Sequence, residues 1–189
     1  MQKKMYLQED KGKVLKFFEL LVQISVVCVL GLFMAAYLFF STETESKSME
    51  PTVMPESVVF IDRIRYLFRE PERFDVVAFS RTAGDPESDR LVRRIVALPG
   101  ETIRIGKGVV YLNGQEFDVS GYFSEITSDG IAETDIRLKE DEYFVLGDTP
   151  ANSEDSRSST IGAVKRAQII GKAWLAAKSL TEIRLIHGQ

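Results

Sequence analysis

The strongest hydrophobic pattern in the chain is one long apolar stretch near its beginning. Residues 20–40 contain only Gln23 and Ser25 as clearly polar side chains. At about 1.5 Å per residue, a helix of roughly 21 residues spans about 30 Å, the thickness of a bilayer core. We therefore predict an N-terminal segment at 1–19, a transmembrane helix at 20–40 and a folded domain at 41–189.

The charges before this stretch predict its orientation. The basic residues that precede it are Lys3, Lys4, Lys11, Lys13 and Lys16. Positive charge favours the cytoplasmic side, so we predict a single-pass plasma-membrane protein with a cytoplasmic N-terminus and an extracytoplasmic C-terminal domain. A cleaved secretory signal is the alternative, but the apolar stretch is longer than such signals usually have.

Beyond the apolar stretch, the pattern changes to short runs that are rich in β-branched and aromatic residues and bounded by turns, which is typical of strands. These runs lie at 57–61, 74–79, 90–98, 109–112, 142–146 and 168–175. Asn113-Gly114 predicts a hairpin with a type I′ turn. Residues 80–89 and 120–135 have the composition of connections, the second one mobile or inserted. We predict a mainly β fold, in which a single N-terminal transmembrane helix precedes an antiparallel β-sheet domain.

Composition excludes several kinds of site. Beyond residue 40 the chain keeps 19 of its 24 basic and 25 of its 28 acidic residues, a mildly acidic balance that argues against nucleic acid as a partner. Cys28 is the only cysteine and lies in the apolar stretch, so an intramolecular disulfide is excluded. One cysteine and one histidine, His187, do not make the usual zinc ligand set. We expect no metal and no cofactor.

Ser48 is a candidate nucleophile, since it lies eight residues beyond the apolar stretch, next to the predicted membrane surface. A Ser-His-Asp triad would have to use His187, which is third from the C-terminus and is interpreted as a solvent-exposed tail residue. A serine hydrolase here would therefore use a lysine base. Burial lowers the lysine pKa from about 10.4 towards 7 to 8, where the neutral amine can accept a proton.

Four sequence blocks follow the apolar stretch in a fixed order. They are Ser46-x-Ser48-Met49-x-Pro51-Thr52, then 73–77, then Arg93-Arg94-(x)4-Pro99-Gly100-Glu101, then Gly147-Asp148 with Ser153-x-Asp155-Ser156-Arg157. This order resembles the type I signal peptidases, membrane-bound Ser-Lys endopeptidases that cut signal peptides from exported proteins. The resemblance extends from residue 20 to about residue 175 and implies a signal-peptidase-like β domain.

The resemblance also implies roles for individual residues. Ser48 corresponds to the nucleophile, and Ser46 to the hydroxyl that forms the oxyanion hole together with the backbone amide of Ser48. The supporting residues that it implies are Asp148, Ser153, Asp155 and Arg157. Ser153 would hydrogen-bond the base, while Asp155 and Arg157 would form an ion pair. Without the resemblance, we would interpret Asp155 and Arg157 as a surface salt bridge, which contributes about 0 to 1 kcal/mol to stability.

The implied substrate is a signal peptide that lies extended between two strands. One strand leads into Ser48 and contains Thr42 and Thr44, and the other contains Arg90 and Val92. Such strand addition binds many sequences through backbone hydrogen bonds and gains its selectivity from shallow pockets. The implied partners are signal peptides of exported preproteins or surface-protein subunits, together with the lipid bilayer.

The chain departs from the family pattern at the position of the base. The family carries Lys-Arg where this chain has Arg93-Arg94, and Asn-Arg where it has Thr149-Pro150. Arginine remains protonated in proteins, so Arg93 is not a competent base at neutral pH. Loss of a general base commonly costs about 10² to 10⁴ in rate.

Three functions remain open at this point. The first is a signal-peptidase-like protein with impaired or absent proteolysis that binds precursors and assists assembly of secreted or surface proteins. The second is an active signal peptidase I, a serine endopeptidase, that uses Ser48 with a different base. The third is a non-enzymatic structural protein with one membrane span.

Overall fold

The computed structural model describes residues 2–38, 40–44, 47–82, 89–179 and 181–188. The chain divides into two units, Met1–Leu38 and Phe39–Gln189. The first unit is the helix α1, Gln2–Leu38, and the second holds all of the strands.

Helix α1 contains the apolar stretch. Its segment Leu15–Phe33 has a mean hydropathy of 2.0 and is long and apolar enough to cross a membrane. The helix extends the predicted 20–40 span towards the N-terminus and ends at Leu38. Phe40, the predicted last residue of the span, instead begins a strand, because its backbone pairs with that of Ile61.

The second unit is built from antiparallel strands. In chain order they are β1 Phe40–Thr44, β2 Ser57–Asp62, β3 Val76–Ser80, β4 Arg90–Ala97, β5 Thr102–Gly106, β6 Val109–Leu112, β7 Gln115–Glu116, β8 Ile136–Arg137, β9 Glu142–Leu146, β10 Val164–Lys165, β11 Ile169–Ser179 and β12 Glu182–Leu185. A short helix, α2, occupies Arg65–Phe68. The prediction of a mainly β fold with antiparallel sheets after one apolar helix is therefore confirmed.

The strands form two sheets. The larger sheet has the order β1-β2-β11-β3-β4-β9-β10, with β12 paired to β11, and the smaller has the order β7-β6-β5-β8. In the turn between β6 and β7, both Asn113 (φ 52°) and Gly114 (φ 80°) have positive φ, which confirms the predicted type I′ turn.

Strand β4 lies at the centre of the core because both of its faces are buried. On one face Val92 packs with Met49 and Val76, and on the other face Ile95 packs with Val77. Burial of each such side chain contributes about 1.5–3 kcal/mol, so the backbone of β4 is held firmly where it carries Arg93 and Arg94.

The segment 120–135 packs against the smaller sheet. Phe123, Ile126 and Ala132 are buried there in one cluster with Ile103 and Ile105 of β5. Three apolar side chains of this segment are therefore anchored in the core, which argues against the mobile alternative, and the inserted alternative stays a prediction.

Candidate active site

Ser48 lies in a short 3₁₀ turn, Lys47–Met49, between β1 and β2. Met49 is fully buried in the core, and the amide of Val53 donates to the Met49 carbonyl at 2.8 Å. Ser48 is buried and its neighbour Lys47 is exposed. The Lys47 side chain therefore lies outside the enclosure that holds Ser48.

Thr149 holds this turn from the loop that follows β9. Its amide donates to the Ser48 carbonyl at 2.9 Å, and its hydroxyl donates to the Glu50 carbonyl, also at 2.9 Å. Thr149 is the residue for which the sequence resemblance implies Asn. The amide and the hydroxyl of Thr149 together therefore fix the backbone on both sides of Met49.

Gly147 is the point where the predicted site residues meet. A Cβ atom added there would lie 2.6 Å from the Ser48 carbonyl oxygen and 2.6 Å from the Cβ of Ser153. The Gly147 amide donates to a carboxylate oxygen of Asp155 at 3.2 Å. Only a residue without a side chain allows Ser48 and Ser153 to approach so closely.

Asp155 and Arg157 form the predicted ion pair, and the pair is buried. The Nε and Nη2 atoms of Arg157 each donate to one carboxylate oxygen of Asp155 at 2.9 Å. Arg157 also donates to the carbonyls of Pro150 at 2.5 Å and Ser128 at 2.9 Å. The alternative of a surface salt bridge is therefore wrong, because this pair braces the loop on both sides of Ser153.

Arg93 occupies β4 in register with Val77 and is only 2% exposed. Its Nε donates to the Glu154 carbonyl at 3.0 Å, and its Nη1 donates to the Val92 carbonyl at 2.6 Å. Burial lowers the pKa of Arg93 to about 10, and the nearby carboxylate of Asp155 opposes that shift. At neutral pH Arg93 therefore remains protonated.

Arg94 points away from Arg93 and binds Asp148, a partnership that the sequence reading missed. Its Nε and Nη2 donate to the two carboxylate oxygens of Asp148 at 2.8 and 2.7 Å. Thr52 accepts from Arg94 at 3.1 Å and donates to Asp148, and the guanidinium carbon lies 5.1 Å from the ring centroid of Tyr122. The sequence did contain a signal for this pairing, because a second arginine within an apolar strand needs a buried acidic partner.

The predicted peptide-binding strands border an open part of the larger sheet. Strand β1 is an edge strand, and β9 pairs with β4 only from Arg94 onwards. Cα atoms of β1 and β4 approach within 8 Å of each other. Within the described strands, one backbone edge of β1 and one edge of the first half of β4 therefore carry no paired strand.

The other predicted residues divide into three groups. Ser46 lies outside the described residues, and for Thr42 and Thr44 only the backbone is described. Val92 is buried in the core, so its side chain does not face a peptide, whereas Arg90 is half-buried. The His187 side chain is exposed, as expected, and its carbonyl accepts from Arg94 at 3.5 Å.

Two further features bear on the chemistry. Lys172 is the one lysine that is not exposed among those whose side chains are described, and its Nζ donates to the buried carboxylate of Asp75. Among the described residues, no three His, Cys, Asp or Glu side chains come together as a metal site.

Comparison with known proteins gives consistent matches. The family described as signal peptidase, peptidase S26, matches residues 17–177. A probable signal peptidase I-2 of Synechocystis sp. is 34% identical over 133 residues, which cover 69% of this chain and 59% of that protein. A signal peptidase I of Bacillus licheniformis is 28% identical over 186 residues, which cover 94% of this chain and 97% of that protein.

A solved structure also matches. The crystal structure of a signal peptidase I from Enterococcus faecalis V583 is 29% identical, with a TM-score of 0.41, and the match covers 55% of this chain and 97% of that chain. Since the family match extends over most of the chain, this protein belongs to the signal peptidase family, peptidase S26.

Proposed function

We propose that this protein recognises signal peptides of exported preproteins or surface-protein subunits at the outer face of the membrane, with impaired or absent proteolysis. In this proposal it assists the assembly of secreted or surface proteins. The single observation that carries the proposal is the burial, hydrogen bonding and protonation of Arg93. At the position of the family's base lies a buried guanidinium that donates to two backbone carbonyls and has a pKa of about 10.

A lysine or arginine side chain must be neutral to accept the proton of Ser48. Both hydrogen bonds of Arg93 use it as a donor, and its pKa lies about three units above neutral pH. Loss of general-base catalysis costs about 10² to 10⁴ in rate. The rest of the site remains folded around Ser48, which supports a binding role for the scaffold.

Ser153 supports the same interpretation. Its Oγ is enclosed and has no hydrogen-bond partner among the residues that the structure describes. Buried hydroxyls are almost always hydrogen-bonded, and an unsatisfied one costs about 1–3 kcal/mol. In the family pattern this serine bonds the lysine base, so its unpaired hydroxyl fits the replacement of that lysine by Arg93.

The open edges of β1 and β4 support peptide binding by strand addition. An extended peptide needs about 4.8 Å between its backbone and each neighbouring strand. Where β1 and β4 approach within 8 Å they leave no room for a strand between them, so the peptide pairs where the edges diverge. Backbone pairing accepts many sequences, which suits a protein that binds different precursors.

The location rests on helix α1 and its charges. Leu15–Phe33 crosses the plasma membrane in this proposal, and the lysines that precede it keep the N-terminus in the cytoplasm. The β domain then faces the outer side. Ser48 follows the apolar stretch closely, so a precursor reaches it at the bilayer surface.

An active signal peptidase that uses Ser48 with another base is the second candidate. The packing of the Ser48 turn against the loop 147–157 favours it. The half-buried lysine that could substitute, Lys172, is held by Asp75, and Lys47 is exposed. A purely structural protein with one membrane span is the third candidate, and the open strand edges argue against it.

One experiment distinguishes these functions. The full chain and its Ser48→Ala variant are purified in detergent and incubated with a labelled preprotein, and both cleavage and crosslinking to the signal segment are measured. We expect crosslinking by both proteins and no cleavage above that of Ser48→Ala. Cleavage that disappears in Ser48→Ala would establish an active peptidase. Absence of crosslinking by both proteins would support the purely structural function.

A further inference from the structure

Arg93 is a buried cation that forms no ion pair with a carboxylate of the described residues. The two acidic side chains that interact electrostatically with it are Asp155 and Glu154. Asp155 is bound at both oxygens by Arg157, and Glu154 is bound by Arg81. In the described part of the chain Arg93 forms no ion pair, although burying an unpaired charge is costly.

The guanidinium also has unused donors. Arginine carries five N–H groups, and within the described residues Arg93 uses one on Nε and one on Nη1. Its Nη2 donates to no described residue and is not one of the fully enclosed polar atoms. Nη2 therefore keeps donors for a small ligand group such as a carboxylate, which arginine can bind through two hydrogen bonds.

A second unused donor lies in the same place. Arg93 bonds the carbonyl of Glu154, and the residue before it, Ser153, has an enclosed hydroxyl without a partner among the described residues. Ser153 packs against Gly147, which also touches the Ser48 carbonyl. The turn that holds Ser48 adjoins β4, with Cα atoms within 8 Å. The positive charge of Arg93 and the unused hydroxyl of Ser153 thus both lie on segments that adjoin the turn of Ser48.

We propose that Arg93 and Ser153 bind a carboxylate of the peptide that occupies the site beside Ser48. This inference rests on the proposed function and names the group that the site prefers. Two sources supply that group: the C-terminal carboxylate of a cleaved signal peptide, or an Asp or Glu side chain within an uncut precursor. A site with a neutral lysine base has no preference for a carboxylate. Replacement of that lysine by Arg93 therefore changes which ligand the site prefers as well as the cleavage rate.

The test uses fluorescence anisotropy with the full chain in detergent and three labelled peptides of equal length. The first ends in Ala-Gln-Ala with a free carboxylate, the second has the same sequence with a C-terminal amide, and the third is an amide with Asp in place of the last Ala. Each is measured against the unmodified protein, Arg93→Gln and Ser153→Ala. Arg137→Gln is the matched control, since it removes one positive charge from an exposed position in the smaller sheet.

We expect at least one carboxylate peptide to bind about tenfold or more tightly than the plain amide, as two charge-assisted hydrogen bonds allow. The preference disappears in Arg93→Gln, falls in Ser153→Ala and persists in Arg137→Gln. The first peptide identifies a cleaved product as the source, and the third identifies an acidic side chain. Circular dichroism of Arg93→Gln establishes that the variant is folded.

Three different outcomes would contradict this inference, and each has a different consequence. Equal binding of all three peptides to the unmodified protein overturns the carboxylate site and leaves peptide recognition intact. A preference that persists in folded Arg93→Gln overturns the assignment to Arg93. If none of the peptides binds the unmodified protein, both this inference and the proposed function fail.

Discussion

Arg94 and Asp148 form a two-point ion pair that is enclosed by the protein, with 3% and 0% of their side chains exposed. The pair connects the central strand β4 to the loop after β9, and Thr52 bonds both partners. It therefore ties the segment that follows Ser48 to the same loop that carries Ser153.

The first prediction concerns this pair. Asp148→Asn keeps the shape of the side chain and removes its charge, which leaves Arg94 buried without a counterion. We expect the free energy of unfolding to fall by about 3–5 kcal/mol, as for other buried pairs that lose one partner. Urea unfolding of the full chain in detergent measures this value.

Asp135→Asn is the matched control for that measurement, since Asp135 is 73% exposed and its nearest contact with Arg104 is 3.6 Å. We expect a change within about 0.5 kcal/mol. Equal losses in the two variants would show that the Arg94–Asp148 pair has no special structural role.

Thr149 provides the second prediction. Thr149→Val removes the hydroxyl that donates to the Glu50 carbonyl and keeps a similar shape. We expect a loss of about 0.5–1.5 kcal/mol in unfolding free energy, the usual net value of one hydrogen bond. Thr149→Ser keeps the hydroxyl and serves as the control, and a Val variant as stable as the Ser variant would contradict the role of this bond.

Gly147 provides the third prediction. Gly147→Ala places a Cβ within 2.6 Å of the Ser48 carbonyl oxygen, so the turn or the loop must shift. We expect destabilisation of about 1–3 kcal/mol, as for other overpacked sites, together with loss of peptide binding. In Gly121→Ala the new Cβ has no neighbour within 4 Å, so this control should bind normally. Normal binding by a stable Gly147→Ala would contradict the close packing.

The pH dependence of any residual cleavage gives the fourth prediction. If Arg93 accepts the proton, only its neutral form is active, and the neutral fraction rises with pH below the pKa. Cleavage should therefore increase about tenfold per pH unit from pH 7 and level off above the pKa of about 10. A rate that is already constant by pH 8 would identify a different base.

Much of the fold could be predicted from sequence because its signals are local. The apolar stretch, the alternating runs and Asn113-Gly114 each depend on neighbouring residues, and each corresponds to a helix, strands or a turn. The strands β8 and β10 have only two residues each, which is too short for a periodic pattern. The alternation of Ile103 and Ile105 in β5 was present and was overlooked.

The site was predicted less completely because its contacts join distant parts of the chain. Sequence blocks indicated Ser48, Asp155 and Arg157, but the pairing of Arg94 with Asp148 crosses 54 positions. The burial of the Asp155–Arg157 pair and the role of Thr149 depend on how β4, β9 and the loop 147–157 pack. No local pattern encodes those distances.

The most direct test of the central claim, that Arg93 leaves this scaffold without a general base, is the cleavage rate of Arg93→Lys on a labelled preprotein at pH 8. The buried position lowers the pKa of the new lysine, and Ser153 offers it a hydrogen bond. We predict a rate about 10² or more above that of the unmodified protein, abolished by adding Ser48→Ala. An unmodified protein that already cleaves as fast as Arg93→Lys would contradict the claim.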